Sequence, residues 1–347
     1  MSEEAVRAAF ASQVHWCTIL GSPFTALVVK LLGERIDTSS AIGRRVLGWR
    51  GDPAPEADNV PARMSGAFHY LVRTGAARAL AALYPPAELP TEGSLWNAIE
   101  PLLVEQEPVI ASFLDNAPQT NEVGRSAVLM AGLMAVADRF PLPLRLFELG
   151  SSAGLNLNLD RYGYRLGERV AGVAEAPVQL APEWRGPPPP HAPVRIVARA
   201  GVDLSPRDPV ADGERLLAFV WADQRERLAR MEAALSIARA YPPPVDEGDA
   251  AEWLEQTLPA SPARGSVRVV LHSIAFQYFP SSTQRRIERV MERLGAEADE
   301  EGPLAWLRYE QLLGEEQASI QLRLWPAGED RLLGLAHAHG RYVDWAG

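Results

Sequence analysis

The spacing of apolar residues divides the chain into a helical part and a part in which strands and helices alternate. Over residues 1–140, apolar side chains recur every three or four positions, which is typical of amphipathic helices. Ser2 is the expected cap of the first helix and Gly21 its expected end. One face of that helix carries four apolar residues: Val6, Phe10, Val14 and Cys17. We therefore predict an all-helical N-terminal region.

Cap and stop residues predict further helices in this region. Ser22–Pro23 fits the cap and first position of a second helix, which Gly33 can end. Another amphipathic stretch begins at Phe68 and is terminated by Pro85–Pro86. The apolar stretch Ser126–Phe140 is the last predicted helix before the pattern changes.

After Pro143, short apolar runs alternate with helical patterns. The predicted strands are Leu144–Phe147, Val194–Ala198, Val267–Leu271, Leu304–Tyr309 and Ile320–Trp325. The predicted helices between them are Leu155–Arg161, Gly213–Tyr241, Ala250–Thr257 and Thr283–Leu294. Such alternation predicts a parallel sheet covered on both faces. A turn at Pro326–Asp330 between Ile320–Trp325 and Leu332–Ala338 predicts an antiparallel hairpin.

These patterns together predict an α/β fold with two regions. Residues 141–347 are expected to form a doubly wound, mostly parallel sheet with an antiparallel C-terminal hairpin. Residues 1–140 are expected to form a helical region that covers the substrate. A glycine-bearing turn, Glu148–Gly154, follows the first predicted strand, where ligands of open α/β sheets bind.

The turn suits a ligand that approaches the backbone closely. Gly150 permits a tight turn, and Gly154 lets the helix start close to the strand. Free N–H groups at the helix start are expected to attract a polar ligand end. Two structural glycines in a βα turn are the alternative. A dinucleotide fingerprint fits less well because Ser152 replaces its second glycine, and a P-loop fits less well because the turn contains no lysine.

Two acids follow later predicted strands. Asp203, in the run GVDLSP, is placed to accept hydrogen bonds from ribose hydroxyls, and Asp249, in GDA, is placed to accept from an adenine amino group. Each is alternatively an N-cap or a turn acid. With Glu148 after the first strand, three acids follow three successive strands, a pattern that favours a ligand site. Glu148 at the start of the turn suits a ligand without phosphate, such as S-adenosylmethionine.

Composition and charge restrict the partners. Apolar residues make up 47% of the 347 residues and charged residues 22%, as in ordinary soluble proteins. A net charge of −10 without a basic run argues against nucleic acid, so a small-molecule ligand is expected. The single cysteine, Cys17, excludes an intrachain disulfide and is expected to be a small core residue. With no signal peptide and no long apolar stretch in the sequence, a reduced, cytoplasmic protein is expected.

The strings FELGSSAGLNL, GVDLSP and GDA resemble the first three motifs of Rossmann-type S-adenosylmethionine-dependent methyltransferases. The resemblance implies S-adenosylmethionine as cofactor. Glu148, Gly150 and Gly154 match the first motif, Asp203 the ribose position and Asp249 the adenine position. The neighbouring Ser151, Ser152 and Asn156 are expected to bind the cofactor with them. Three features depart from that pattern: Ser152 where a glycine is common, the long insertion 162–193, and the lack of an Asn/Asp-Pro-Pro-Tyr signature.

A second resemblance covers nearly the whole chain. The strings QTNEVGR, LDRY, LAPEWRG and LHS are similar to those of DUF2332, a bacterial family catalogued as a domain of unknown function. This resemblance implies a methyltransferase-like domain and leaves the substrate open.

Candidates for catalysis follow the strand Val267–Leu271. His272 is expected to face the ligand crevice as a base, with Gln277 and Tyr278 in the next loop. The alternatives are a buried histidine bonded to backbone and a tyrosine that only packs.

A second group precedes the sheet and is expected to reach the ligand from the helical part: Asn121, Glu122 and Arg125. The alternative is helix capping by Thr120, with Glu122 complementing the helix dipole.

Two other function classes stay open. Gly150–Gly154 also satisfies the G-x-S-x-G pattern of a serine hydrolase, with Ser152 as nucleophile and Asp249 and His272 or His337 as partners. No oxyanion-hole segment of the HGGG type precedes it. A non-catalytic ligand-binding protein with the same fold is the third class. No metal site is expected, although His337 and His339 alternate along one predicted strand.

Overall fold

The computed structural model describes residues 2–119, 121–260, 264–311 and 317–347. The chain forms two compact units, one of residues 1–120 with 211–232 and one of residues 121–210 with 233–347. The predicted division falls after residue 140. In the structure, the helix Arg125–Arg139 groups with the sheet instead, and residues 211–232 group with the N-terminal helices. The first unit is therefore discontinuous in sequence.

The helices are α1 (Glu3–Ile19), α2 (Pro23–Arg35), α3 (Ala41–Leu47), α4 (Val60–Arg73), α5 (Arg78–Ala81), α6 (Glu92–Ile99), α7 (Leu102–Glu105), α8 (Glu107–Asp115), α9 (Arg125–Arg139), α10 (Gly213–Ala218), α11 (Arg225–Ala240), α12 (Ala250–Ala260) and α13 (Ser281–Ala296). Short 3-10 helices cover Leu155–Arg161 and Phe276–Tyr278. In the described part of the chain, no helix is both long and apolar enough to cross a membrane.

The strands are β1 (Leu144–Leu149), β2 (Gly163–Leu166), β3 (Arg169–Gly172), β4 (Gln179–Leu180), β5 (Glu183–Arg185), β6 (Ile196–Asp203), β7 (Val245–Glu247), β8 (Val267–Ser273), β9 (Leu304–Gln311), β10 (Gln317–Trp325), β11 (Glu329–His337) and β12 (Tyr342–Trp345). Every strand among the described residues belongs to the second unit. The described residues before 140 therefore agree with the prediction of a helical N-terminal region.

The first two helices pack closely in the first unit. The hydroxyl of Ser2 accepts from the amide of Ala5 and caps α1, as predicted, and Cys17 is fully buried. The prediction that Gly33 ends α2 is wrong, because Gly33 lies inside that helix. A Cβ at Gly33 would lie 2.5 Å from the Cβ of Phe10, so the glycine permits the close approach of α1.

Two other helices of this unit differ from prediction. Helix α4 begins at Val60, with Asn59 as its cap, and ends at Arg73, well before Pro85–Pro86. The predicted helix Gly213–Tyr241 is broken between α10 and α11. The carboxylate of Asp223, which lies in this break, accepts from the amide of Phe24 and the hydroxyl of Thr25. The break therefore places an acid at the start of α2.

The second unit holds a nine-stranded sheet in the order β5-β12-β11-β10-β9-β8-β1-β6-β7. Strands β7, β6, β1, β8 and β9 are mutually parallel, and β10, β11 and β12 continue antiparallel from β9. This confirms a mostly parallel α/β sheet with an antiparallel C-terminal hairpin. A smaller sheet, β3-β2-β4, forms within the insertion after residue 162.

Helices cover both faces of the parallel strands. On one face, Trp253 of α12 and Met291 of α13 share a core with Phe147 and Trp306. On the other face, α9 packs so closely that a Cβ at Gly132 would lie 2.6 Å from Leu307. The chain leaves β1 for β6 on one side and later returns to β8 on the other. The strand order therefore reverses at β1 and β8, where ligands of such sheets bind.

Candidate functional site

The candidate site lies where β1, β6 and β8 end. Strand β6 extends to Asp203, beyond the predicted end at Ala198. Gly201–Asp203 therefore forms the last part of the strand, whereas the prediction placed it in the loop that follows. Glu148 of β1 pairs with Gly201 and with Leu271 of β8. Asp203, Glu148 and His272 therefore lie at the carboxyl edge of three adjacent strands.

The turn after β1 has an unusual backbone. Gly150, Ser152 and Gly154 have φ values of +71°, +51° and +65°. Glycine adopts this region without steric cost, but serine does not. Ser152 is therefore held in a conformation that the surrounding contacts must enforce.

Contacts within the protein account for every amide of this turn. The N–H groups of Gly150 and Ser151 both donate to the carbonyl of Val202, at 2.9 and 3.0 Å, and that of Gly154 donates to Ser151 at 2.8 Å. Side chains accept from the other two: Asp203 Oδ2 from Ser152 at 2.8 Å, and Asn121 Oδ1 from Ala153 at 3.2 Å. The amides of Gly150–Gly154 are therefore engaged within the protein.

Packing explains the glycines of the turn. A Cβ at Gly150 would lie 2.7 Å from the Cβ of Ala275, in the loop after β8. A Cβ at Gly154 would lie 2.7 Å from Pro243 and 2.8 Å from Val245. Protein neighbours therefore require these glycines whether or not a ligand approaches.

Glu148 is a buried carboxyl group with one unpaired oxygen. Its residue is 2% exposed, and Oε1 accepts from Asn156 Nδ2 at 3.0 Å. Oε2 has no hydrogen-bond partner among the described residues. Burial raises the pKa of Glu148 to about 8, and the charge of Asp203 adds to that effect. The group is therefore mostly protonated at neutral pH.

A polar network fixes Asn156 beside Glu148. Asn156 Oδ1 accepts from the hydroxyl of Ser126 at 2.8 Å, and its Nδ2 lies 3.5 Å from the hydroxyl of Ser273. Ser151, also buried, donates its hydroxyl to the carbonyl of Glu148 at 2.8 Å. This arrangement orients Nδ2 of Asn156 toward the carboxyl group.

Asn121 and Asp203 hold the turn from outside. Asn121 Nδ2 donates to the hydroxyl of Ser152 at 2.7 Å. Asp203 Oδ1 accepts from the amide of Ser205 at 2.9 Å, and the residue remains partly exposed. The structure therefore brings together three predicted site residues, Asn121, Ser152 and Asp203.

Arg125 and Glu122 are buried and bond to other groups of the protein. Arg125 donates from NH1 to the carbonyl of Ser273 at 2.9 Å and from Nε to the carbonyl of Ala338 at 3.0 Å. Burial lowers the pKa of this guanidinium. Glu122 accepts from the amide of Gly124 at 2.9 Å. Thr120, the predicted cap, lies outside the described residues.

Asp249 acts as a helix cap in the structure. Its Oδ1 accepts from the amides of Ala251 and Glu252 at 3.0 Å, at the start of α12. Its Oδ2 accepts from the hydroxyl of Thr283 at 3.0 Å, on α13. These contacts are the ones expected if Asp249 is an N-cap and not a ligand-binding acid.

His272 is fully buried, and both of its ring nitrogens are occupied. Nδ1 lies 2.6 Å from Glu310 Oε1, and Nε2 accepts from the indole N–H of Trp306 at 3.1 Å. Since Nε2 accepts, the hydrogen bonds assign the proton to Nδ1, which donates to the carboxylate. The ring of Phe276 stacks on the imidazole at 4.8 Å.

Glu310, which the sequence reasoning missed, completes this group at the end of β9. It also accepts from the amides of Ala275 and Phe276, both at 3.2 Å. Burial opposes ionisation, but the hydrogen bond from His272 and these amides lower its pKa overall. An acid near the end of a predicted strand was the available signal.

The remaining predicted residues lie on other elements. Gln277 and Tyr278 belong to the 3-10 helix Phe276–Tyr278, and Tyr278 is 65% exposed. His337 Nδ1 accepts from the amide of His339 at 3.0 Å. Among the residues that the structure places, no group of three or more His, Cys, Asp or Glu side chains is arranged to hold a metal ion.

One comparison identifies a family. A family model described as "Uncharacterized protein conserved in bacteria (DUF2332)" matches residues 7–345. No curated protein and no solved structure matches the chain.

Proposed function

This chain belongs to the bacterial family DUF2332, and we propose that it binds S-adenosylmethionine at the carboxyl edge of β1 and β6 and transfers the methyl group to an acceptor. The observation that carries the proposal is Asp203, a partly exposed carboxylate at the end of β6, bonded to the turn that follows β1. The reversal of strand order beside this turn supports a ligand there.

The side chains present fit the nucleoside part of this cofactor. Each oxygen of Asp203 accepts one backbone N–H, and a carboxylate offers about four lone-pair sites. Asp203 therefore retains capacity for ribose hydroxyls. Glu148 adds a buried oxygen that lacks a partner among the described residues.

The cofactor, when bound, supplies an electrophilic methyl group on a sulfonium, and the chain's own residues hold and orient the reactants. The amides of Gly150–Gly154 already bond within the protein. Binding therefore rests on side chains, and on amides of the turn only where the ligand displaces their present partners. His272 is bonded at both nitrogens, so its role is to fix the loop after β8 through Glu310. The exposed Tyr278 in that loop is available to an acceptor.

Cytoplasmic location and the lack of a nucleic-acid partner belong to the same proposal. The single buried cysteine and the net charge of −10 support them.

Calorimetric titration of the full chain with S-adenosylmethionine and S-adenosylhomocysteine tests the binding. We expect a dissociation constant of about a millimolar or tighter. Asp203→Ala should weaken binding by roughly tenfold to a hundredfold, since a hydrogen bond to a charged group contributes about 1.5–3 kcal/mol. Asp208→Ala, an exposed acid that caps a turn in the same loop, is the matched control. The absence of heat when either ligand is added to the parent would refute the proposal. Equal binding by Asp203→Ala and Asp208→Ala would show that Asp203 does not contact the cofactor.

A serine hydrolase is the second candidate, favoured by the positive φ of Ser152 in a strand-to-helix turn. Against it, the hydroxyl of Ser152 accepts from Asn121, and His272 is engaged by Glu310 and Trp306. We expect no labelling of Ser152 by a fluorophosphonate probe and only mild loss of cofactor binding in Ser152→Ala. Stoichiometric labelling at Ser152 would replace the methyltransferase proposal by the hydrolase. Binding without any methyl transfer would instead favour the non-catalytic class.

A further inference from the structure

A second cleft lies in the helical unit, between the end of α3 and the start of α4. Its volume is about 400 Å³. It is lined by Arg45, Gly48, Trp49, Arg50, Gly51 and Asp58. Volumes of this size are usual for small-molecule sites. The residues all belong to the first unit, so this cleft is separate from the site at the sheet edge.

Trp49 is a fixed, partly exposed platform in this cleft. Its indole N–H donates to Asp58 Oδ2 at 2.7 Å, and the buried guanidinium of Arg63 lies 5.4 Å from the ring centroid. Gly51 packs against the same carboxylate so tightly that a Cβ there would overlap Asp58. The ring is thus held in one orientation before any ligand arrives, which reduces the entropy lost on binding.

Among the described residues that surround this ring, Arg50 is a cation without a partner. Arg45 pairs with Asp115 at 2.6 Å, and Arg63 lies 4.0 Å from Asp58 and donates to two carbonyls. Arg50 also lines the cleft but makes no hydrogen bond or ion pair with any residue that the structure describes. A guanidinium presents a planar fork of donors that matches a carboxylate or a phosphate.

We infer that this cleft binds a small aromatic anion, with its ring against Trp49 and its carboxylate or phosphate group on Arg50. A ring without charge leaves Arg50 unused, and a charge without a ring leaves the indole uncovered. Both parts are therefore needed for full affinity. The inference concerns the helical unit and does not depend on cofactor binding at the sheet.

Titration calorimetry of the full chain with simple probes tests the site. The probes are phenyl phosphate and benzoate, compared with inorganic phosphate, which lacks the ring, and phenol, which lacks the charge. None is a nucleoside, so the site at the sheet edge does not compete. Nine tryptophans make fluorescence unspecific, and heat is the better signal.

We expect at least one aromatic anion to bind about tenfold more tightly than inorganic phosphate and phenol do. Whichever of phenyl phosphate and benzoate binds more tightly identifies the anionic group. Binding should weaken as salt rises from about 0.05 to about 0.5 M, because Arg50 is exposed.

Variants separate Arg50 from general surface charge. Arg50→Ala should weaken binding of the aromatic anion about tenfold. Arg78→Ala is the matched control, since Arg78 is an exposed arginine of the same unit that does not line the cleft. No heat with either aromatic anion, equal binding by the two variants, or phenol binding as tightly as phenyl phosphate would each overturn the inference.

Discussion

At the scale of single residues, Glu148 carries a carboxyl group that burial keeps protonated at neutral pH. Its pKa is about 8 in the folded chain against an ordinary 4.5. At a pH between these two pKa values, the folded state holds a proton that the unfolded state releases. The contribution of Glu148 to the free energy of unfolding is therefore full below about pH 4.5 and falls as pH rises to about 8, by a few kcal/mol.

The pH dependence of Glu148→Gln checks this sign. Glutamine keeps an oxygen for Asn156 but does not titrate, so the variant should lose less stability than the parent between about pH 5 and about pH 8. Thermal unfolding across this range measures the difference. Glu168→Gln, at an exposed hairpin turn, is the control and should follow the parent. Parallel profiles for parent and Glu148→Gln would show that the carboxyl group ionises normally.

The sequence predicts where these residues lie better than what they contact. Glu148 and Asp203 are acids at strand ends, and strand patterns predict that position. The bond from Ser152 to Asp203 and the pairing of His272 with Glu310 join residues far apart in sequence. Their partners depend on sheet register and side-chain direction, which periodicity does not determine.

At the scale of elements, the turn after β1 depends on the absence of a side chain at Gly150. Alanine there meets the strain of φ +71° and also the Cβ of Ala275 at 2.7 Å. Gly265 has φ +77° with nothing within 4 Å, so Gly265→Ala meets strain alone, about 1–2 kcal/mol. We expect Gly150→Ala to lower the free energy of unfolding by a further 1–3 kcal/mol or so. Urea unfolding of the two variants measures the difference, and equal losses would mean that Ala275 moves aside freely.

The contact of α1 with α2 depends on Gly33 in the same way. Alanine favours helix over glycine by about 1 kcal/mol, but at Gly33 its Cβ would lie 2.5 Å from that of Phe10. We expect Gly33→Ala to destabilise the chain by about 1–3 kcal/mol. Gly93→Ala, near the start of α6 with open space around it, should be neutral or stabilising. Melting temperatures compare them, and a Gly33→Ala variant as stable as Gly93→Ala would show that α1 shifts without cost.

Periodicity predicts that an element exists more reliably than where it ends. Glycine near the end of a helical pattern is typical of a stop, yet Gly33 lies inside α2, where it packs against Phe10. The continuous pattern over 213–241 hides a break in which Asp223 bonds to the start of α2. In both cases a contact with a distant segment outweighs the local preference.

At the scale of the whole molecule, the chain returns to the helical unit after the first strands of the sheet. Residues 211–232 supply Ala218 and Phe219 to the same core as Phe68 and Phe113. The ring of Phe219 lies 5.5 Å from that of Phe113, and its edge approaches Gly66. A discontinuous unit of this kind leaves no compositional boundary in the sequence, which is why the predicted boundary at residue 140 does not describe it.

The discontinuity makes a testable difference to fragments. A fragment of residues 1–120 lacks Phe219, whose loss from a core costs about 3–5 kcal/mol, and lacks the carboxylate of Asp223 on α2. Against a total stability of about 5–15 kcal/mol for a domain, we expect this fragment to melt without a cooperative transition. The same residues joined through a flexible linker to 211–232 should melt cooperatively by circular dichroism. Substituting Phe219→Ala in the joined chain is the control and should lower its melting temperature strongly. Cooperative melting of the fragment 1–120 alone, at the temperature of the joined chain, would show that residues 211–232 only rest on a core that is complete without them.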